Sequence, residues 1–504
     1  MSRRLIIIIG MLLFLVGVTC DKGGDGEPEV EQIGGTAPNV FLIVLDAAAA
    51  PYFGCYGDVH GTSPNIDRLA AESVLFENAS SQTATTITST ASLLTGVRAT
   101  THLMTDTTTL PEALPTLAER LSQRGMKTYG FIGNPFAGAP ETGLGRGYDT
   151  CVRVYDLASL KGNRRVEKSS RFRVTRPEDI NEQVFEALTS FEKNGVFSYI
   201  HYLQPHKPYD PPKEVLRAFP GVGTLSWDDL HDAWNLAHKR HSAERWTIRQ
   251  IEARYRANIR FVDAGVGRLI GRLKKDGLYD ESLIILMSDH GDAFFKHKRF
   301  GHNVHLYDDM VRIPLMIKFP KSDKVSPRRI ANLVETIDIP PTIFDYLGLD
   351  RPALFEGDSL WPLILGETRR LNREEVVTCT IQRNRHAIRF RDYKYIYNKP
   401  GPTEELYFLP DDPDEQHNLI VRERKRADTL REMLDTIVDV NSGKTLASSN
   451  RLRSNDEMDS LLKGLGYTDS DAISDQDERP TTQSAESATQ PATPTADRQG
   501  GIDD

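Results

Sequence analysis

Apolar residues along this chain fall into two alternating textures. "VFLIVL" (Val40–Leu45) and "SLIILM" (Ser282–Met287) are continuous apolar runs, the pattern of strands buried on both faces. Between such runs lie segments with apolar residues at helical spacing. "PTLAERLSQRG" (Pro115–Gly125) carries Pro near its start and Gly at its end, and precedes the strand "KTYGFIG". "PEDINEQVFEALTSFEKNG" precedes "VFSYIHYL" in the same way. The stretch 253–277, "ARYRANIRFVDAGVGRLIGRLKKDG", keeps the helical period and also ends on Gly. Strands alternating with helices predict an α/β sandwich around a central, mostly parallel sheet. Beyond residue 371 the texture changes. "HAIRFRDYKYIYN" (His386–Asn398) alternates as an antiparallel hairpin does, and the helical "RERKRADTLREMLDTIVDV" follows. We expect a smaller C-terminal α+β subdomain over 371–467, packed against a domain over 38–370.

The two ends differ from this middle. "MSRRLIIIIGMLLFLVGVTC" has a basic start and an apolar run shorter than the roughly 20 residues of a spanning helix, which favours an export signal over 1–20. The run stops at Cys20, and a polar linker follows over 21–37. This looks like a bacterial lipoprotein signal with Cys20 as the lipidated residue; an uncleaved anchor is the other reading. Either way the protein is expected to be exported and membrane-tethered, on the outer face of the cytoplasmic membrane or in the periplasm. Residues 468–504 are rich in Ser, Thr, Pro and acids and nearly lack large apolar side chains, as in a disordered acidic tail.

The 504 residues carry a net charge of −9 with no basic block, which argues against nucleic acid as a partner. The four cysteines form neither a CxxC pattern nor a disulfide framework, and Cys55 reads as a core thiol. Between 213 and 250 lie Trp227, Trp234, Trp246, His231, His238 and His241, without metal-ligand spacing. A helical insert with its own small core is expected there; a lid is the functional alternative.

Candidate chemistry gathers at strand ends, where ligands collect in such sheets. Asp46 ends the first apolar run and is followed by four alanines. "SDHGD" (Ser288–Asp292) ends another, and His302 follows in "RFGHN". Asp46, Asp289 and His290 offer oxygen and nitrogen donors suited to Zn²⁺ or Mn²⁺, and Gly291 would let the backbone turn closely around an ion. The hydroxyl-rich stretch "SSQTATTITSTASLLTG" (Ser80–Gly96) runs into a helix, "STASLLTG". Its hydroxyls are either ordinary N-caps or a nucleophile at the positive end of the helix dipole.

In this order the segments resemble the sulfatase-like branch of the alkaline phosphatase superfamily, from about Asn39 to Thr468. "NVFLIVLDAAAAPYFGCYGD" and "TSPNIDRLAAESVLFENA" are similar to its opening strand, metal Asp and following helix. "TITSTASLLTG" resembles its nucleophile segment, and "HYLQPHKPYDPP" its "DPHxPYxPP" loop. "SDHGD" with "GHNVHLYDDMVRIPLMI" resembles the second metal segment, and "ELYFLPDDPDEQHNL" a C-terminal marker. The resemblance implies an alkaline-phosphatase-like sandwich and one divalent metal ion (Zn, Mn or Ca) held by Asp46, Asp289, His290 and Thr86. Thr86 falls at the nucleophile position. His206 and His302 fall where relatives contact the transferred group or protonate the leaving group, and Asn134 falls at a substrate-binding position.

The departures from the family pattern alter the expected chemistry. Sulfatases carry Cys or Ser in C/S-x-P-x-R, oxidised to formylglycine; here the segment is Thr86-Ile87-Thr88-Ser89-Thr90, so no formylglycine forms. Ala47 and Ala49 stand where relatives have polar or charged residues, and Asn134 replaces a charged pair. The expectation is a metal-dependent hydrolase of sulfate or phosphate esters with Thr86 as nucleophile, a phosphodiester or phosphonate ester being favoured. The substrate could carry a lipid or glycan headgroup. The alternatives are a sulfuric ester hydrolase without formylglycine, a lipid-headgroup phosphotransferase and a non-catalytic binding protein.

Overall fold

The central sheet is built from β1 (Asn39–Asp46), β2 (Val74–Ser80), β3 (Lys127–Ile132), β4 (Thr150–Arg153), β5 (Val196–Pro205) and β6 (Ser282–Ser288). It continues, after a small ribbon of β7 (Ala293–Phe294) and β8 (Phe300–Gly301), with β9 (Arg312–Ile313), β10 (Leu315–Lys318) and β11 (Arg328–Glu335). The structure, a computed structural model, describes residues 32–33, 37–155, 175–191, 195–240, 244–303, 305–399 and 402–442. The nine strands lie in the order β11-β2-β10-β6-β1-β5-β3-β4, with β9 beside β2. Only β9 and β10 run antiparallel to their neighbours, so the sheet is mostly parallel as the alternation predicted.

β1 lies between β5 and β6 with every residue buried, which explains its unbroken apolar run. Its side chains alternate between two cores. Val40, Leu42 and Val44 pack with Ile87, Ala91 and Leu94 of α2, after α1 (Pro64–Ala71) the second main helix, spanning Thr86–Thr95. Phe41, Ile43 and Leu45 face the opposite side. Fully burying each such side chain contributes about 1.5–3 kcal/mol.

α3 (Leu117–Gln123) starts at the capping box of Thr116 and Glu119, in which the Glu119 amide donates to Thr116 Oγ1 at 3.1 Å. α4 (Pro177–Leu188) has proline in its first turn. α5 (Trp227–Arg240) lies in the insert, and α6 (Arg245–Lys275) begins well before the expected residue 253. The reason is that Ile251 already continues the buried row of Tyr255, Ile259, Val262 and Val266 that covers Phe41, Ile43 and Leu45. The expected core of the insert is shared: Phe219 and Val222 pack on Ala253 and Ala257 of α6, beyond residue 250. His241 lies outside the described residues.

Past α7 (Ile339–Tyr346) comes the expected subdomain, a four-stranded antiparallel sheet of β12 (Glu375–Thr380), β13 (Arg385–Phe390), β14 (Tyr393–Asn398) and β15 (Thr403–Phe408). One face packs on α8 (Arg424–Ser442) through Val377, Ile388, Tyr395 and Leu406. The other packs on the first domain, with Ala387, Ile396 and Tyr407 against Ala84 and Met310. Glu335 joins the two units: it accepts from Arg98 at 3.0 Å, Arg373 at 2.9 Å and the amide of Val377 at 2.8 Å.

Two expectations shift. Ala37 is buried, and the Ile33 amide donates to Arg124 O at 2.9 Å, so the end of the expected linker already belongs to the domain. Cys55 is half-buried at the edge of the core, because its amide is tied to Asp67 at 2.8 Å in a surface turn. Cys20 and the segments 1–20 and 468–504 lie outside the described residues. Among the described residues no helix is long and apolar enough to cross a membrane.

Candidate active site

Parallel pairing of β1 with β6, Leu45 opposite Ser288, brings Asp46 and Asp289 side by side at two strand ends. Asp289 Oδ1 accepts hydrogen bonds from the amides of Ala47 at 3.0 Å and His290 at 2.8 Å. The alanines after Asp46 are wholly buried, and the first three amides are all hydrogen-bonded. The Ala48 amide donates to Ser288 Oγ, the Ala49 amide donates to Tyr255 Oη, and Tyr255 Oη donates to Ala47 O. Ala47 adopts φ +60°, a left-handed conformation that costs about 1–2 kcal/mol in an L-residue. The small side chains let the chain turn sharply under the site.

Gly291 lies where two loops pack closely. A Cβ there would lie 2.3 Å from Asp309 O and 3.0 Å from Ala49 Cβ, so glycine permits close packing of two loops. His290 Nδ1 donates to Gly291 O at 2.7 Å, which leaves Nε2 as the lone-pair nitrogen facing the site.

α2 starts at Thr86, three residues before the expected helix, with Thr85 extended and making no side-chain cap. The early start places Thr86 Oγ1 3.2 Å from Asp46 Oδ1 and 3.1 Å from His290 Nε2. Ser89, in the same first turn, ties the helix to the β6 end by donating to Asp289 O at 2.6 Å. Asn134 donates to Asp46 Oδ2 at 2.7 Å, and its own Oδ1 accepts from the Phe136 amide at 3.0 Å. Its amide therefore holds Asp46 in place.

Ligand atoms of Asp46, Asp289 and His290 all lie within 4.8 Å of one another and are fully buried. Burial, then the charge of Asp289, push the Asp46 carboxyl well above the usual carboxylate range. Asp289 Oδ2 is buried with no hydrogen-bond partner among the described residues. Two facing buried carboxylates with an orphaned oxygen call for a cation, so these residues fit a divalent metal. Two carboxylates, one imidazole and the nearby Thr86 hydroxyl are donors that a divalent cation accepts.

Three imidazoles line up beside this cluster. The rings of His290 and His302 are 5.0 Å apart, and those of His302 and His206 are 4.9 Å apart. His206 Nδ1 donates to Lys207 O at 2.7 Å, so its Nε2 is the lone-pair nitrogen. Burial lowers the pKa of both His206 and His302, with His302 and Lys207 adding to the effect on His206. The long helix α6 fixes this loop, since Asn258 Nδ2 donates to Pro205 O at 3.1 Å.

Every described residue expected at the site is therefore gathered there. Others arrive unannounced. Asp292, which accepts from Tyr209 Oη, lies 3.7 Å from His302 Nδ1. Gln382 of the C-terminal subdomain donates to Asp106 at the rim of the cavity that Thr86 and His302 line. His201, wholly buried on β5, has Nε2 3.8 Å from Asp46 Oδ2. Burial lowers its pKa to about 4, so the ring is neutral. Its one sequence signal is a polar residue inside the apolar run "VFSYIHYL".

The profile of the Sulfatase family matches residues 38–349, and that of N-sulphoglucosamine sulphohydrolase, C-terminal, matches residues 293–442. An uncharacterized sulfatase of Escherichia coli (strain K12) is 25% identical over 448 residues, covering 80% of this chain and 86% of the relative. N-acetylglucosamine-6-O-sulfatase of Bacteroides thetaiotaomicron is 24% identical, covering 76% and 82%. Among solved structures, the phosphonate monoester hydrolase of Agrobacterium radiobacter superposes with a TM-score of 0.64 at 20% identity, covering 81% of this chain and 96% of that one. This last likeness concerns the fold. Because the Sulfatase profile spans more than half of the sequence, the chain belongs to the sulfatase family and is an ester hydrolase of the alkaline phosphatase superfamily.

Proposed function

We propose that the protein hydrolyses a singly charged phosphate, phosphonate or sulfate ester, with Thr86 as nucleophile and one divalent cation held by Asp46, Asp289 and His290. The observation that carries this reading is the position of Thr86 Oγ1, 3.2 Å from Asp46 Oδ1 and 3.1 Å from His290 Nε2 at the first turn of α2. When bound, the cation supplies Lewis acidity and favours the ionised hydroxyl.

In the first step Thr86 Oγ1 gives up its proton to solvent and bonds to phosphorus or sulfur, and the bond to the leaving alcohol breaks. The negative charge of the bound ester opposes the burial that lowers the His302 pKa, and the protonated ring donates a proton to the departing oxygen. In the second step His206 Nε2 accepts a proton from water as its oxygen attacks. The bond to Thr86 breaks and its oxygen regains a proton from solvent; His206 releases the proton it took from water to solvent, and His302 is reprotonated from solvent, which closes the cycle.

A single charge on the substrate is supported by the neutral groups at positions where relatives carry polar or charged ones. Ala47 and Ala49 bring no charge, and the Asn134 amide is engaged with Asp46. A phosphodiester or phosphonate ester fits this best. A glycan sulfate ester, which is also a monoanion, is the second reading, supported by the similarity to an N-acetylglucosamine-6-O-sulfatase. In either case the reading has Thr86 react through its own hydroxyl, without formylglycine. We further propose export and membrane tethering through Cys20, supported by the apolar run ending there.

The test is turnover of matched nitrophenyl sulfate, phosphate monoester, phosphodiester and phosphonate with Zn²⁺, Mn²⁺ or Ca²⁺. Metal-dependent turnover that vanishes in Thr86→Ala supports the reading, and the preferred ester names the class. Metal binding without turnover of any ester would instead indicate headgroup transfer or a binding protein.

A further inference from the structure

His201 sits on β5 opposite Val44 of β1, two residues before Asp46. Its parity on the strand is that of Phe197 and Tyr199, which face α2, and so it lies on the side of the sheet that carries Thr86. The residue is wholly buried. Neither ring nitrogen has a hydrogen-bond partner among the described residues. An imidazole sealed in a core with both nitrogens unpaired loses about 1–3 kcal/mol for each, so an apolar residue would be the better choice if packing were its only role.

The atom it faces is Asp46 Oδ2, 3.8 Å from His201 Nε2. That oxygen is the one turned away from Thr86, and Asn134 already donates to it at 2.7 Å. A carboxylate oxygen has room for a second donor. His201 is not part of the group whose ligand atoms lie within 4.8 Å of one another, which is Asp46, Asp289 and His290. It therefore stands behind the candidate metal centre.

We propose that His201 is a positioning residue: its Nε2–H donates to Asp46 Oδ2 and, together with Asn134, fixes Asp46 with Oδ1 turned toward the metal. The inference rests on the metal-centre reading above. Closing 3.8 Å to hydrogen-bond length takes a shift of about 1 Å, well within the movement of a side chain. Asp46 would then be held from behind by two donors on a rigid sheet, one from β5 and one from the segment after β3. Such outer partners orient a ligand and raise its affinity for the ion.

The experiment uses the full chain, stripped of metal and titrated with Zn²⁺ and Mn²⁺ by calorimetry, as wild type, His201→Phe and His201→Gln. His201→Phe keeps a ring and removes both nitrogens, whereas His201→Gln restores an N–H donor. We expect His201→Phe to weaken metal binding by about 10–100-fold and His201→Gln to recover part of that loss. Turnover by His201→Phe should return at saturating metal. Unchanged affinity in His201→Phe, or an equal loss in both variants, overturns the proposal. A measurement free of folding effects is ¹⁵N NMR of wild-type histidines with and without metal. A proton on His201 Nε2 in the loaded protein supports the proposal; a bare or metal-ligated Nε2 overturns it. Wild type that binds neither ion refutes the metal centre itself, a result separate from any difference among variants.

Discussion

The hydroxyl of Thr86 lies 3.2 Å from Oδ1 of Asp46, a residue 40 positions earlier in the chain. One belongs to the first turn of a helix and the other to the end of the central strand, and the sheet fixes both. If Thr86 is the nucleophile, Thr86→Ala lowers turnover on the order of 10³-fold or more, whereas Thr86→Ser retains measurable turnover. Initial rates on a nitrophenyl ester at saturating metal check this, with metal content measured alongside so that lost turnover is separated from lost metal.

Removing the metal should cost stability as well as activity. Asp46 and Asp289 face each other in full burial, so chelation leaves two carboxylates with no cation between them. At a metal concentration of about 100 times Kd, binding adds roughly 2.7 kcal/mol to the folded state. Thermal unfolding with and without chelator measures it, and adding back a divalent cation should restore the midpoint.

Gly291→Ala should disable the centre without touching a ligand. The new Cβ would lie 2.3 Å from Asp309 O, forcing the loop that carries Asp289 and His290 to shift. We expect a loss of about 1–3 kcal/mol, as for overpacking, together with weaker metal binding. Urea unfolding and calorimetric titration read the two effects.

Asp309 supplies a pH dependence of stability. Both of its carboxylate oxygens are buried without a hydrogen-bond partner among the described residues, and burial pushes its pKa up to about 7. The unfolded value is about 3.9. Between these values the folded chain holds the extra proton, so this group's contribution is present below the unfolded pKa and is lost as pH rises through the folded pKa. Asp309→Asn should therefore be more stable than wild type above about pH 7 and nearly equal to it at about pH 4. Denaturant midpoints across that range decide.

Arg98→Ala should loosen the joint between the two units. Arg98 makes two hydrogen bonds of 3.0 Å to Glu335, which is wholly buried and also serves Arg373 and Val377. Leaving that charge partly uncompensated costs about 3–5 kcal/mol. The expected result is a lower urea midpoint, largest in a spectroscopic probe placed in β12–β15.

Much of this was legible from the chain alone, for identifiable reasons. The strands β1 and β6 are visible because burial on both faces confines polar residues to their ends. The hairpin of β13 and β14 is visible because one face alternates with the other. Asp46, Asp289 and His290 could be named because ligand-type residues follow buried strands, and Thr86 because the segment around it resembles a family segment. The start of α2 was misplaced by three residues, since a run of Ser and Thr carries no apolar period to mark it. The start of α6 was missed because the insert's polar residues dilute the period there, although Ile251 already belongs to the core.

By itself, then, the sequence determined the α/β class, the alternating layers and the identity of the candidate ligands, because burial pattern and residue chemistry are local properties. Which groups meet was decided by tertiary structure. The parallel pairing of β1 with β6 sets Asp46 against Asp289 across 243 positions, and the crossing of β5 beside β1 brings His201 behind Asp46. The occupation of the Asn134 amide, the close approach at Gly291 and the reach of Gln382 to Asp106 depend in the same way on distances between remote segments. No one-dimensional pattern encodes such distances, because strand order in a sheet follows from how whole layers pack.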